Sequence, residues 1–347
     1  SIDYNCEVIA FEQTNRVGGT WVKSDEVGKD KNGLEIHSSM YDNLVTNLPI
    51  ELMCYPNEPF PSIETSFVSS EVVLKYYESF ADKYNLRDYI KFEHVVVRVH
   101  PIENDSWEVI VKNLALDRYE THYADAVLVC NGHFSSPFIP SYEGRKTFKR
   151  RQIHSHEYRN PEYFKGEDIL VIGGNFSAVD VVQQTSFHAK SVTWSHHLKD
   201  EPDLKAFGEN VSQEPDVMKL TENGAEFADG SFKQFSSIIY CTGYNYSFPF
   251  LSVNCGISID EDYVKPLWKH CLNIKKPSMG IIGLPNLICP NQMFSLQVRF
   301  CLEFMTGKKK LPSKEEMMKD YENDMAERWR RGLSKKKAHV MGPDIQD

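Results

Sequence analysis

The sequence lacks several features that would place it in a class at once. Its eight cysteines include no CxxC pair and no two closer than 12 residues, which disfavours a zinc site or a redox-active dithiol. No apolar run reaches the roughly 18 residues that a transmembrane helix needs, so we do not expect membrane association. The net charge of −10 gives no basic surface for nucleic acid. The remaining composition, 41% hydrophobic and 25% charged over 347 residues, is typical of a globular chain long enough for two domains.

The clearest motif occupies residues 168–180, with the sequence DILVIGGNFSAVD. An apolar run leads into Gly173 and Gly174, and apolar residues then recur at helical spacing, which predicts a strand, a tight turn and a helix. Such a turn directs the first helical N–H groups at a phosphate. In the G-x-G-x-x-G/A pattern of dinucleotide-binding turns, Asn175 replaces the second glycine, as a residue that tolerates a left-handed backbone. The alternative is a β-turn-α unit without a ligand. The predicted ligand-binding residues of this stretch are Gly173, Gly174, Asn175, Ser177, Ala178 and Asp180.

The next predicted strand, residues 191–195, indicates which dinucleotide binds. A site for NAD normally has an acidic residue about 20 residues after the turn to hold the ribose hydroxyls. Here His196, His197 and Lys199 follow the strand, and neutral or basic side chains suit the 2′-phosphate of NADP(H). We therefore favour NADP(H), with Ser195, His197 and Lys199 at its site. A solvated loop is the alternative for the paired histidines.

The first residues resemble the interior of a second dinucleotide-binding unit. Residues 7–11 predict a strand, and Glu12 closes it as a ribose-binding acid would. No first strand and no glycine-rich turn precede it, so we expect about 30 further residues upstream, and the C-terminal end also lacks a closing element. Gly18 and Gly19 follow, then Thr20 and Trp21; adjacent glycines let the backbone pass close to a pyrophosphate or a flavin ring.

This E-x(5)-GG-T-W segment resembles the second FAD-contacting motif of flavin-containing monooxygenases, which oxygenate soft nitrogen and sulfur. Residues 36–61, IHSSMYDNLVTNLPIELMCYPNEPFP, resemble the same family, and the resemblance extends over about residues 7–341. It is closest to the insect branch that contains pyrrolizidine alkaloid N-oxygenases. It implies an α/β fold with two dinucleotide-binding, Rossmann-like domains, in which an NADPH-binding domain (158–245) is inserted in an FAD-binding domain (1–157 and 246–347).

The same resemblance implies specific flavin contacts. Asn47 would lie beside the flavin and the nicotinamide, where its amide can donate to the reactive oxygen or to flavin N5 and accept from the cofactor amide. The alternative for Asn47 is a turn before Pro49. For Gln297 the alternative to a place near the flavin is an exposed helix face. The residues predicted to bind FAD are Glu12, Gly18, Gly19, Thr20, Trp21, Thr46, Asn47, Leu48, Val96, Asn131, Gly132 and Gln297.

Residues 148–158, FKRRQIHSHEY, match the family signature F-x-G-x-x-x-H-x-x-x-[YF] except that Arg150 replaces the glycine. If that position has a positive φ, arginine there costs of order 1 kcal/mol of strain. His154 titrates in the range useful for acid–base catalysis, but we favour a structural role for it. The tryptophan and proline of the Baeyer–Villiger signature are absent.

The resemblance implies a two-step cycle. NADPH reduces FAD, and O2 then forms a C4a-hydroperoxyflavin, which transfers oxygen to a small-molecule amine or sulfide in a pocket that excludes water. Two rival functions stay open. An NADPH-dependent flavin disulfide reductase needs a cysteine pair near the flavin, and a catalytically inactive nucleotide-binding fragment would be consistent with the missing first turn. A homo-oligomer and either a cytoplasmic or a secreted location also stay open.

Overall fold

The protein is described by a computed structural model covering residues 4–198 and 203–342. Its α-helices within these residues are α1 (Ile50–Met53), α2 (Ser70–Lys83), α3 (Phe176–Ser186), α4 (Pro290–Met305) and α5 (Lys314–Arg330). Its strands are β1 (Ala10–Phe11), β2 (Ile90–Lys91), β3 (His94–Pro101), β4 (Trp107–Asn113), β5 (Arg118–Ala124), β6 (Val127–Val129), β7 (Arg151–His154), β8 (Asp168–Ile172), β9 (Ser191–Ser195), β10 (Val211–Glu214), β11 (Val217–Leu220), β12 (Gly224–Phe227), β13 (Phe232–Gln234), β14 (Ser237–Tyr240), β15 (Ser258–Asp260), β16 (Tyr263–Lys265), β17 (Leu267–Trp268), β18 (Leu272–Asn273) and β19 (Met279–Ile281).

A five-stranded parallel sheet lies in the middle of the chain, in the order β10-β9-β8-β14-β7. The predicted strand, turn and helix at residues 168–180 are confirmed as β8 and α3, and the strand at residues 191–195 is confirmed as β9. β8 is almost continuously apolar because it is a central strand, covered on both faces. β7, which the sequence-based division assigns to the flavin domain, pairs along its whole length with β14. The boundary of this sheet therefore lies before residue 151.

A second parallel pairing joins distant parts of the chain. β6 pairs with β19, which continues through β18 to β17, so the five-stranded sheet is inserted between two paired strands of another sheet. β1 pairs with β2 in parallel. The strand predicted at residues 7–11 is only two residues long here, and Val8 and Ile9 are exposed, because β1 has a hydrogen-bonded neighbour on one side only among the described residues.

The antiparallel insert predicted from residue 90 onward is confirmed as the β3-β4-β5 sheet. β4 alternates buried and half-buried residues, and Trp107, Val109 and Val111 point into the core. The capping box predicted at the start of α5 is also present, with reciprocal bonds between Ser313 and Glu316. Both elements follow from local pattern alone.

The cysteines and the helices limit what else the fold can be. All eight cysteines are free. Cys241 is buried as predicted, but the prediction of burial was wrong for Cys130, which retains solvent-accessible surface because it lies just beyond the end of β6. The described residues contain no His, Cys, Asp and Glu cluster suited to a metal. Over the same ranges, none of the helices combines the length and apolarity needed to cross a bilayer.

Candidate functional site

The turn between β8 and α3 requires glycine at its first position. Gly173 has φ +132, and a Cβ built there would fall well inside 3.0 Å of the Cys241 carbonyl at the end of β14. The Trp194 indole N–H donates to the Gly173 carbonyl at 2.7 Å. The turn is thus held between two neighbouring strands, with no space for any side chain at Gly173.

The N-terminus of α3 faces away from this turn. Asn175 is the N-cap residue, and its side chain caps none of the helix N–H groups. Its φ of −93 shows that the left-handed tolerance expected of asparagine is not used. The first N–H groups of a helix have no partner within the helix, so those of Phe176 and Ser177 suit an anion such as a pyrophosphate. Phe176 itself is 62% exposed at the first helical position.

The residues after β9 carry the charge expected for a ribose phosphate site. The Ser195 hydroxyl donates to the Pro215 carbonyl at 2.7 Å and is therefore occupied. His196 is buried against Gln213. The His197 side chain is 87% exposed, with Nδ1 3.2 Å from the Asp216 carboxylate. Asp216 was not anticipated from the sequence, because it follows a different strand. Lys199 lies outside the described residues.

Asp180 forms a contact that its predicted role did not include. Its carboxylate accepts a hydrogen bond of 2.6 Å from the Tyr41 hydroxyl, and burial raises the pKa of this carboxyl. Tyr41 comes from the segment that leads to Asn47. Ala178, by contrast, is fully buried under α3, as a small residue at the close approach of helix and sheet would be.

On the other side of the molecule, the GG-T-W segment forms a tight irregular turn. Gly18 has φ +123 and Gly19 φ +52, and a Cβ on Gly18 would collide with the Leu74 side chain on α2. The Thr20 Oγ1 atom is buried and finds no hydrogen-bond partner within the described ranges. An orphaned hydroxyl in a glycine turn is what a polar ligand group would satisfy. Trp21 packs on the core formed by α1 and α2.

Glu12 and Gly132 meet at His37, a residue that the sequence analysis missed. The Glu12 carboxylate accepts from the Thr14 N–H and hydroxyl at 2.8 and 2.7 Å. Burial lowers the pKa of His37, and the nearby Glu12 charge opposes that shift. A Cβ on Gly132 (φ +74) would lie 3.6 Å from the His37 ring. No periodicity or charge pattern marks His37, so only the fold could identify it.

Asn131, Gly132 and Gln297 are connected through Gly283. His133 Nδ1–H donates to the Gly283 carbonyl at 2.6 Å, and the Gly283 N–H donates to Gln297 Oε1 at 2.9 Å. Gln297 is only 5% exposed, so the exposed-face alternative for it was wrong. Asn131 Nδ2 donates to the Ser247 carbonyl at 3.0 Å.

Asn47 is exposed between two anchored neighbours. Thr46 is buried, its N–H donates to the Val68 carbonyl at 2.9 Å, and its hydroxyl accepts from the Val68 N–H at 3.2 Å. Leu48 packs on the core of α1 and α2. The backbone of Asn47 is therefore held while its amide faces outward. Val96 is half-buried beside a register shift in β3, and no contact of the structure bears on the adenine expected there.

The signature around His154 is structural in this fold. His154 is buried, its Nδ1 accepts from the His156 N–H at 3.0 Å, and Glu157 accepts from the His154 N–H. Burial, then the neighbouring His156, lowers the pKa of His154 to about 4, which leaves it neutral at physiological pH. Arg150 has no positive φ, so the strain expected from its replacement of glycine does not arise.

The donor sets of both halves fit the two cofactor types that bind such folds. Gly173 and the start of α3 offer N–H groups and no blocking side chain. Gly18, Gly19 and Thr20 offer a second glycine turn with an unsatisfied hydroxyl. Each feature suits phosphate or another polar ligand group at close range.

Comparison with known proteins agrees with this arrangement. The chain is 35% identical to senecionine N-oxygenase of Tyria jacobaeae over 326 residues, which cover 92% of this chain and 70% of that protein. It is 34% identical to the flavin-containing monooxygenase FMO GS-OX3 of Arabidopsis thaliana over 352 residues, 96% of this chain and 76% of that one. The structure of S-allyl-L-cysteine S-oxygenase from Allium sativum superposes with a TM-score of 0.92 and 30% identity, covering 99% and 81% of the two chains.

The family comparison covers nearly the whole chain. The model of the family described as "Flavin-binding monooxygenase-like" matches residues 1–199 and 197–346. The flavin-containing monooxygenase resemblance and the α/β fold with two dinucleotide-binding domains are thereby confirmed. The chain belongs to the flavin-binding monooxygenase-like family and is a flavin-dependent monooxygenase.

Proposed function

We propose that this chain uses NADPH and O2 to oxygenate a soft nucleophilic nitrogen or sulfur of a small molecule. The observation that carries the NADPH assignment is the Gly173 turn, which leaves the N-terminus of α3 open to a pyrophosphate. His197 at the end of the next strand supports a 2′-phosphate, since no acidic side chain ends that strand.

The flavin-binding half is assigned on the same grounds. Glu12 would hold the ribose, Gly18 to Trp21 the flavin side of the pyrophosphate, and Gly132 the isoalloxazine edge near His37. Bound FAD, reduced by NADPH, supplies the activated oxygen. The protein positions both cofactors, excludes water and places the Asn47 amide where it donates a hydrogen bond at the reacting centre.

We assign the two halves as an FAD-binding unit, from residue 1 to about 150 and from 246 to 347, and an inserted NADPH-binding unit between them. This keeps the division drawn from the sequence, with β7 moved into the NADPH-binding unit because it pairs with β14. The β6–β19 pairing on either side of the insertion supports the division.

The disulfide reductase alternative is disfavoured by the chemistry of the thiols. A reductase needs a reactive thiolate pair beside the flavin. Burial raises the pKa of the Cys130 thiol to about 11 and that of Cys241 to about 12. At neutral pH these groups are overwhelmingly protonated, so neither is a ready nucleophile.

The named activities of the relatives suggest where to look for the substrate. One is a senecionine N-oxygenase and another an S-allyl-L-cysteine S-oxygenase. For this chain we propose a tertiary amine or a thioether, with alkaloid N-oxygenation as the first activity to assay.

The test is a spectrum followed by isotope transfer. The protein loaded with FAD should show a flavin band that NADPH bleaches in the absence of air. In ¹⁸O2, one ¹⁸O atom should then appear in the N-oxide or sulfoxide of a panel of tertiary amines and thioethers. Protein that takes up no flavin, or that only reduces O2 to peroxide with every panel member, would contradict the proposal.

His197→Ala tests the 2′-phosphate assignment. Because the side chain is exposed, we expect a loss of about 0.5–1 kcal/mol, a two- to fivefold weaker binding of NADP⁺, with NAD⁺ binding unchanged. Asp216→Asn should have the opposite effect, since it removes a negative charge 3.2 Å from the same imidazole. Titration calorimetry with both nucleotides measures this, and an equal loss for NAD⁺ and NADP⁺ would refute the assignment.

A further inference from the structure

Residues 36–44, which we call the strap, lie across the NADPH-binding unit and lead directly to Asn47. At the start of the strap, His156 Nε2–H donates to the Ile36 carbonyl at 2.9 Å, and the buried Arg159 donates to the Ser38 carbonyl at 3.0 Å. At its end, Asn160 Nδ2 donates to the Asp42 carboxylate at 2.8 Å. These partners are all in residues 156–160, so they hold the strap to the linker beside the sheet and not to the nucleotide-binding helix.

Tyr41 forms the different contact. Its hydroxyl donates to Asp180 Oδ2 at 2.6 Å, and Asp180 lies on α3, about one turn after the helix N-terminus. Tyr41 is 8% exposed and packs edge-on against Tyr158 with ring centres 5.3 Å apart. Among the described residues this is the strap's side chain to side chain hydrogen bond with α3; the other printed strap–α3 bond, from Gln184 Nε2 to the Asn43 carbonyl, is long at 3.4 Å.

The direction of the bond is settled by its surroundings. Burial and the adjacent Asp180 charge raise the pKa of Tyr41 far above its ordinary value, so the phenol keeps its proton and Asp180 accepts. A short bond to a carboxylate inside a packed core is strong and geometrically restrictive. It joins the helix that would hold the NADP pyrophosphate to the segment that carries Asn47.

We propose that the Tyr41–Asp180 hydrogen bond makes Tyr41 a positioning residue, which keeps Asn47 in register with the NADP-bearing helix. The inference rests on the proposed function and adds a residue to it. When NADP⁺ binds at the N-terminus of α3 and restrains that helix, the bond extends the restraint to the strap, and the Asn47 amide stays at the reacting centre. Without the bond the nucleotide still binds, but the strap moves independently of it.

Hydrogen exchange measures this restraint without turnover. In the FAD-loaded wild type, NADP⁺ should slow exchange in residues 173–180 and also in residues 36–48. In Tyr41→Phe, residues 173–180 should still be protected, while the added protection of residues 36–48 should fall at least threefold. The matched control is Tyr158→Phe, which removes an equally buried hydroxyl that bonds Gln184 on α3 at 3.2 Å but leaves the strap contact intact.

Turnover gives a second readout. Tyr41→Phe should lower the ratio of product formed to NADPH oxidised at least threefold, with peroxide making up the difference, and should change the KM for NADPH less than twofold. Asp180→Asn retains an acceptor oxygen and should behave close to wild type, whereas Asp180→Ala should match Tyr41→Phe, and the double variant should be no worse than either.

The outcomes separate the two proposals. Protection of residues 173–180 by NADP⁺ with unchanged protection of residues 36–48 and an unchanged product ratio in Tyr41→Phe overturns the positioning role alone. Equal losses in Tyr158→Phe and Tyr41→Phe overturn it too, because they indicate packing and not the strap bond. Absence of any protection at residues 173–180 in the wild type overturns the NADP site itself.

Discussion

Gly173→Ala is expected to abolish NADPH-dependent flavin reduction. The new Cβ would fall well inside 3.0 Å of the Cys241 carbonyl, at a backbone φ of +132 that alanine rarely adopts. The turn can accept it only by moving apart from β14, so the N–H groups at the start of α3 no longer face the pyrophosphate. Strain and overpacking together should cost about 2–5 kcal/mol of folding free energy, and NADP⁺ affinity should fall more than tenfold.

The control for Gly173→Ala separates backbone strain from the clash. Gly166 has φ +73 with no atom within 4 Å of a built Cβ, and it lies just before β8 in the same unit. Gly166→Ala should cost about 1 kcal/mol and leave NADP⁺ binding unchanged. Calorimetric titration with NADP⁺, together with a denaturant midpoint for each variant, makes the comparison. A Gly173→Ala protein that binds NADP⁺ as well as the Gly166→Ala protein would remove the turn from the site.

Asn47→Asp is expected to separate NADPH oxidation from oxygen transfer. The carboxylate can still accept a hydrogen bond but can no longer donate one to the reacting oxygen, and loss of such a donor typically costs 10²–10³-fold in rate. We expect product formation to fall at least about 100-fold while NADPH oxidation continues and yields peroxide. Asn47→Ala, which loses both functions, should slow NADPH oxidation as well.

The readouts for Asn47 are product, peroxide and NADPH measured in one reaction. Because the Asn47 side chain is exposed and its neighbours anchor the backbone, folding and FAD loading should not change. Asn104→Asp, an equal change of charge at an exposed turn between β3 and β4, is the matched control. Normal product yield from Asn47→Asp would assign this residue to the turn before Pro49 and nothing more.

Local pattern was sufficient to predict much of this fold, and its limits are physical. The β8 strand, the Gly173 turn and α3 were predictable because apolar periodicity and glycine geometry are properties of a dozen consecutive residues. The assignment of β7 was wrong because a short strand of mixed polarity shows no sign of which sheet it will join. Arg150 shows the same limit, since a motif position does not specify φ.

The candidate site was predictable where one segment forms it and not where several meet. Gly18, Gly19, Gly132 and Gly173 were identified by type, and all have positive φ. His37 and Asp216 were missed because each acquires its role from residues far away in the sequence. Asp180 was assigned to the nucleotide, but its carboxylate bonds Tyr41, 139 positions earlier. Long-range partners of this kind leave no periodic trace in the sequence.

The β6–β19 pairing sets the order in which the chain can acquire its structure during synthesis. Val127 pairs with Met279, about 150 residues later, whereas the β8–β9 pair closes within a few dozen residues. Local pairings form first, so the inserted sheet can fold while the strand that completes the flavin half is still unmade. At about 5–20 residues per second of translation, β6 waits roughly 8–30 seconds for its partner. In that interval its edge is open to pairing with other chains, which makes the first 130 residues the part of a nascent chain most dependent on chaperones.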